Sequence, residues 1–177
     1  MGMRTSQTSE LIFEDMEVPE ENRIEKENSG FVRVGRATLE WERTVLVAAS
    51  IGSMQFMLDE GIRYAKQREQ FGEAIIRFQA IQDKIARSKI KLDAARLLIY
   101  KSATKKDLGL AAPIESSIAK LYATEAANEV AYDMGQIHGG YCFIHEYPIE
   151  RAYRDARLGT IGGGTSEIMR SIIAANT

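Results

Sequence analysis

The sequence predicts an all-α fold, an up-down four-helix bundle with a short β-strand remnant at its N-terminus. Three observations lead there. Only three prolines occur in 177 residues, and Ala, Leu, Ile, Glu and Lys dominate, a mix that favours helix. Apolar residues recur at helical spacing over three long stretches. Glycine or proline marks the ends of those stretches, at Gly72, Gly109, Pro113, Gly139-Gly140 and Pro148.

The first segment stands apart. Glu10 to Pro19 is a short apolar run, then an alternation of polar and apolar residues, and it reads as extended strand. A lone pair of short strands cannot stabilise itself, so this piece either packs on the helices or belongs to a larger sheet. Asn22 to Asn28 is charged and reads as a linker. A long helix follows from about Phe31 to about Lys66, with Ala37, Trp41, Val45, Ala48, Ile51, Phe56 and Leu58 as its apolar positions. Residues 67–76, with Gly72, read as a loop. A second helix fits Gln79 to about Lys106, where Ile81, Ile85, Ser88, Leu92, Ala95 and Ile99 share one face. A third opens near Pro113, a residue welcome in the first turn, and runs to about Ile137. Pro148 opens a further stretch through Arg157. Gly162 to Gly164 break it, and Thr165 or Ser166 can cap a last helix through Ala174.

Composition excludes several function classes. A net charge of −2 leaves no electrostatic footprint for nucleic acid or an anionic membrane. No unbroken run of about 18 apolar residues occurs, so no transmembrane helix is expected, and Met1 to Glu10 lacks the pattern of a signal peptide. The single cysteine, Cys142, permits no internal disulfide, and a reducing cytoplasm is the simplest setting. Two histidines without Glu-x-x-His spacing exclude a di-iron bundle, so no metal is expected.

Several local strings then point to one family. Tyr64-Ala-Lys-Gln-Arg68-Glu-Gln70-Phe71-Gly72 is followed by Phe78-Gln79-Ala-Ile-Gln82. Gln136-Ile-His-Gly139-Gly140-Tyr141 precedes Glu146-Tyr-Pro148 and Arg154-Asp155-Ala-Arg157. The last string is Gly164-Thr165-Ser166-Glu167-Ile168. In order and spacing these resemble the C-terminal helical domain of acyl-CoA dehydrogenases. Upstream, Met3-Arg4, Ser6, Thr8 and Phe13 through Pro19 resemble the end of that family's middle β domain. On this resemblance residues 1–27 are the end of the middle domain with its linker, and 28–177 the helical bundle domain. The chain is then the C-terminal part of a longer enzyme and is expected to have little activity alone.

The resemblance implies α,β-dehydrogenation of an acyl-CoA thioester with FAD as hydride acceptor and an electron-transfer flavoprotein as partner. It also implies a homodimer or homotetramer in which some contacts reach a neighbouring subunit's flavin. A carboxylate base is required. The family places it either just before the terminal Gly-Thr motif, where this chain has Gly163, or early in the first long helix, where Leu39-Glu40-Trp41-Glu42-Arg43 offers Glu42. That pairing resembles the isovaleryl-CoA and long-chain subgroup. By sequence chemistry alone Glu42 reads as a solvated helix glutamate; the missing acid at 163 reverses that reading. Arg43, Glu40, Ser6 and Gly164 are implied near the substrate. Arg68, Gln70, Phe71, Gln79, Gln136, Gly139, Gly140, Thr165, Ser166 and Glu167 are implied at the flavin. Two alternatives remain open on the same residues: a non-catalytic helical oligomerisation module, and an acyl-CoA oxidase-like flavoenzyme.

Overall fold

The computed structural model describes residues 1–177. A helical run from Phe31 to Gln67 comprises a π-helical turn at Phe31–Gly35, α1 (Arg36–Trp41), a second π-helical turn at Glu42–Leu46, and α2 (Ala48–Gln67). A two-residue antiparallel ladder follows, β1 (Glu69–Gln70) with β2 (Glu73–Ala74), in the register Glu69↔Ala74 and Gln70↔Glu73. Phe71 and Gly72 make its turn with positive φ, 57° and 88°, a demand that glycine meets without strain. This segment reads as loop in the sequence because four strand residues are too few to show alternation. Then come α3 (Gln79–Asp107), α4 (Pro113–His138), α5 (Pro148–Ala156) and α6 (Ser166–Asn176).

The core explains the order. α4 packs against α2, α3, α5 and α6 and is buried on most sides. Its small residues Ala119, Ala123, Ala126, Ala127 and Ala131 let four neighbours approach. Pro113 opens it, and Gly139 at φ 58° closes it. The predicted face of α3 is the packed one: Ser88, Leu92, Ala95 and Ile99 are buried, and Ile81 and Ile85 pack on the core edge. Thr165 caps α6, its hydroxyl accepting from the Ile168 N–H at 3.3 Å.

Three expectations are corrected. The all-α class holds, but only α2, α3 and α4 are long members; the fourth place in the bundle is shared by the short α5 and α6, because the glycine-rich loop after Leu158 breaks the chain there. The β-strand remnant at the N-terminus does not form: residues 1–19 contain no strand, and Leu11, Ile12, Phe13, Met16 and Val18 stand exposed. No sheet edge is present to take the ladder bonds of that segment, and unpaired strand backbone has nothing to hold it. In the first helix, Trp41, Val45 and Phe56 are exposed, while Thr44, Val47, Met54, Leu58, Gly61 and Ala65 face the core.

The buried face of that helix is polar at its N-terminal end, which is why its apolar pattern misleads. Thr44 and Ser102 pair by their hydroxyls at 2.8 Å inside the bundle. The Glu40 carboxylate accepts from Lys106 Nζ at 2.7 Å and from the Ala112 N–H at 3.2 Å, just ahead of α4. Burial works to raise the Glu40 carboxyl; Lys106, Ala112 and Arg43 outweigh it and hold the group below its ordinary value. Lys106, only 7% exposed, also sits 4.6 Å over the Trp41 ring. Glu40→Gln should lower unfolding free energy by about 1–3 kcal/mol, because it removes the only carboxylate partner of a shielded ammonium. A urea-denaturation midpoint unchanged from wild type would contradict this account.

An 18-residue window in Phe31–Gln67 has mean hydropathy 1.2, so by length and composition this helix could cross a membrane. The window reaches that value without an unbroken apolar run, and only 28% of it is buried. The exposed apolar side includes Val45, Leu46 and Phe56, and two of these residues line the cleft described next.

Candidate functional site

A cleft of about 580 Å³ runs along the exposed side of the first helix. Its floor is Leu46, Ala49, Ser50, Ser53 and Phe56; Ala127 of α4 and Pro148 and Ala152 of α5 form the opposite wall. Small and apolar residues leave room along its length; Glu42, Arg43 and Lys120 stand at one end, and Arg151 and Asp155 line the α5 wall. Such a lining suits an apolar group oriented by a few polar contacts at its head.

At that head stands Glu42, the first residue of the second π-helical turn, where a helix interior widens and functional residues often sit. Glu42 is half-buried, and its carboxylate makes no hydrogen bond or ion pair within the chain. Facing it is the loop Ile161–Gly164, which follows a 3-10 turn at Arg157–Thr160. A Cβ built on Gly163 would lie 4.0 Å from Glu42 Oε2. A side chain at 163 would therefore stand in contact with the carboxylate of Glu42, although 120 residues separate them.

Two cations close the head. Arg43 donates from Nε to the Gly163 carbonyl at 3.1 Å. Lys120 of α4, 2% exposed, donates from Nζ to the Gly164 carbonyl at 2.5 Å. Burial lowers the pKa of both; Glu40 and Glu42 partly offset this at Arg43, while Arg43 adds to it at Lys120. Lys120 was not singled out in the sequence. Its signal was available: a lysine four residues from Ser116 and from Thr124, in an alanine-rich helix, on the face that packs.

The other residues implied at the substrate fall differently. Gly164 adjoins the head, with φ 105° and Arg43 Nη2 3.2 Å from where its Cβ would be. Glu40 is turned away into its pairing with Lys106 and Ala112. Ser6 is exposed and outside the cleft, and Met3 of the same segment lines it instead. The Met3 N–H donates to Asp155 Oδ1 at 2.6 Å, and Arg154 Nη1 donates to the Met1 carbonyl at 2.9 Å.

The residues implied at the flavin divide into two groups. Arg68, Gln70, Gly139 and Gly140 come together around a groove of about 400 Å³ beyond the C-terminal end of α2. Tyr64, His138 and Tyr141 line the same groove. The Arg68 guanidinium lies 5.9 Å from the Tyr141 ring centre, and His138 stacks on Tyr64 with centroids 4.4 Å apart. Nothing lies within 4 Å of a Cβ position on Gly139 or Gly140, so the backbone there is open to a ligand. Gln136 is exposed beside it and donates to Tyr132 Oη at 3.5 Å. Phe71, 94% exposed, meets Phe78 edge-on at 6.1 Å, and Gln79 is exposed at the start of α3. Thr165, Ser166 and Glu167 form the second group, beside the cleft head. Ser166 is buried with a hydroxyl that finds no partner in the chain, and Glu167 is exposed at the first turn of α6.

Burial pushes the His138 imidazole below its usual pKa, against the Met134 carbonyl, which it meets at 2.7 Å, and Glu60. A depressed folded-state pKa means that the unfolded chain takes up the proton first. Stability should therefore fall as pH drops through about 6.5. His138→Phe keeps the stack on Tyr64 and should flatten the fall in melting temperature between pH 7 and pH 5. An equal slope in both proteins would remove His138 from that account.

Residues 28–177 match the family model described as acyl-CoA dehydrogenase, C-terminal domain. The chain belongs to the acyl-CoA dehydrogenase family. It is 46% identical over 174 residues to subunit CarC of the caffeyl-CoA reductase-Etf complex of Acetobacterium woodii, covering 98% of this chain and 46% of CarC. It is 40% identical over 168 residues to a short-chain-specific acyl-CoA dehydrogenase of Megasphaera elsdenii, covering 95% of this chain and 44% of that protein. Among solved structures, PigA with FAD and proline superposes with a TM-score of 0.89 at 30% identity, over 93% of this chain and 43% of that one. The chain thus spans less than half the length of the relatives it matches. These relatives are short-chain and caffeyl-CoA types by name and lend no support to the isovaleryl-CoA or long-chain subgroup.

Proposed function

We propose that this chain supplies the C-terminal helical part of an FAD-dependent acyl-CoA dehydrogenase, with Glu42 as the base that removes the α proton of the thioester. One observation carries the assignment: a Cβ on Gly163 would stand 4.0 Å from Glu42 Oε2, so the helix carboxylate lies beside the loop position. Of the two family locations for the base, the loop one is empty of acid and the helix one reaches the same place. The finer subgroup reading concerns only where the base sits and implies no acyl-chain length.

The cleft gives the base its conditions. Its apolar floor from Leu46 to Phe56 orders an acyl chain and keeps water from the carboxylate. Glu42 has no partner to compete for its lone pairs, so its oxygens are available to a proton. Bound FAD supplies the hydride acceptor, because side chains cannot take a hydride from an unactivated carbon. Arg68 suits the pyrophosphate, since a guanidinium can bind two anionic oxygens, and Gly139 and Gly140 allow close backbone approach.

Arg68 and Glu42 are separated by roughly 40 Å of helix at 1.5 Å per residue. That exceeds the reach of one dinucleotide. The Arg68 group and the Thr165 group therefore serve two flavins, which supports a homodimer or homotetramer. An electron-transfer flavoprotein as electron acceptor and a cytoplasmic setting complete the proposal. CarC is named as part of an Etf complex, which favours this reading over a non-catalytic oligomerisation module or an oxidase.

The test is optical. The full-length protein containing this chain should be yellow, and its flavin band should bleach when an acyl-CoA is added without oxygen. A colourless protein, or one that keeps its band with every acyl-CoA from butyryl to palmitoyl, rejects the reading.

A further inference from the structure

The loop facing Glu42 is held in an unusual way. Gly163 and Gly164 both have positive φ, 66° and 105°, and neither makes a backbone–backbone hydrogen bond. Their carbonyls are tied only by side chains, Gly163 by Arg43 and Gly164 by Lys120. One cation comes from the π-helical turn beside Glu42 and the other from α4, so the loop is pinned between two helices that the core already fixes.

Lys120 enters no ion pair; the charge of Arg43 opposes its ammonium, and the carboxylates of Glu125 and Glu167 favour it without contacting it. An ammonium shut away from water beside another cation is unfavourable for the fold, and an apolar side chain of equal length would pack there without that cost. What the lysine provides and a methionine cannot is a charge-assisted hydrogen bond to a carbonyl that nothing else holds.

We propose that Lys120 is a positioning residue: with Arg43 it clamps the Gly163–Gly164 carbonyls and so fixes the cleft wall that faces Glu42. This rests on the dehydrogenase reading for its kinetic consequence, but the clamp itself is a property of the loop. A wall released by an ångström misaligns the thioester with Glu42, and displacements of that size cost up to about 100-fold in rate. The distal acyl chain still binds along Leu46 to Phe56, so affinity changes less than rate.

The experiment uses the full-length flavoprotein and compares Lys120→Met with Lys120→Arg. Lys120→Met should slow the limiting rate of flavin bleaching by about 10- to 100-fold, leave the half-saturating butyryl-CoA concentration within about threefold, and melt no lower than wild type. Lys120→Arg keeps the charge and a donor and should recover most of the rate. Wild-type bleaching in Lys120→Met, or equal slowing in Lys120→Arg, overturns the proposal, as does a loss of rate that only follows a loss of melting temperature. A second readout needs no turnover: a crystal structure of Lys120→Met should show the Gly162–Gly164 backbone displaced. An unmoved loop overturns the clamp even if the protein turns over acyl-CoA. A wild-type protein that never bleaches refutes the dehydrogenase reading and leaves the clamp to be judged on the loop position.

Discussion

Replacing Glu42 with Gln should leave the full-length protein yellow and slow acyl-CoA-driven bleaching of its flavin by about 10²- to 10⁴-fold, the range a general base contributes. The amide matches the carboxylate in shape but cannot accept the α proton. Because the Glu42 carboxylate makes no hydrogen bond or ion pair in the chain, the fold should lose little, and melting temperature should stay near that of wild type. Flavin retention is expected because the amide keeps the shape of the carboxylate, and none of the residues implied at the flavin, neither Arg68, Gly139 and Gly140 nor Thr165, Ser166 and Glu167, is changed. Glu40→Gln is the matched control two residues away: it should cost stability through Lys106 yet leave the bleaching rate close to wild type, since Glu40 points out of the cleft. Bleaching by Glu42→Gln within threefold of wild type would remove the base assignment. Loss of flavin in the same variant would mean that the Glu42 carboxylate also helps to hold the flavin beside the Thr165 group.

The contrast between Glu40 and Glu42 also shows what the sequence could and could not reveal. The inward face of α3 was readable because Ile81, Ile85, Leu92, Ala95 and Ile99 recur at helical spacing and pack on the core. Helix ends were readable because Gly139, Pro113 and Thr165 act locally, through φ, ring geometry and one hydroxyl. The N-terminal end of the first helix's inward face was not, because burial there is achieved by polar pairs, Glu40 with Lys106 and Thr44 with Ser102. Leu46 and Phe56 of that helix face the cleft, so part of its hydrophobicity marks the site, while Val47, Met54, Met57 and Leu58 mark the core. The N-terminal strand pattern was real as a pattern but needs a partner sheet to become a strand. At the site, Glu42 and Gly163 were paired by resemblance, and their closeness in space is what the fold adds. Lys120 lies outside every family string quoted for the sequence, and only its hydrogen bond to Gly164 separates it from a lysine that merely packs its stem.

That closeness permits a transfer of the base. In the double variant Glu42→Ala, Gly163→Glu, the carboxylate should enter the vacated volume from the opposite wall, because a Cβ at 163 already comes within 4.0 Å of Glu42 Oε2. Alanine keeps the helix. The cost falls on the loop, where a glutamate must adopt φ 66°, a penalty of about 1–2 kcal/mol for a residue with a Cβ. Arg43 can still hold the 163 carbonyl, since its bond is to backbone. Bleaching should return to within about 10²-fold of wild type, the loss expected from a base misplaced by an ångström, and should clearly exceed that of Glu42→Ala alone. Gly163→Glu alone should be worse than wild type, because two carboxylates would share one volume and one of them must take up a proton. A folded, yellow double variant no faster than Glu42→Ala would show that nearness to position 163 does not locate the base, and that the orientation set by the π-helical turn at Glu42 decides instead.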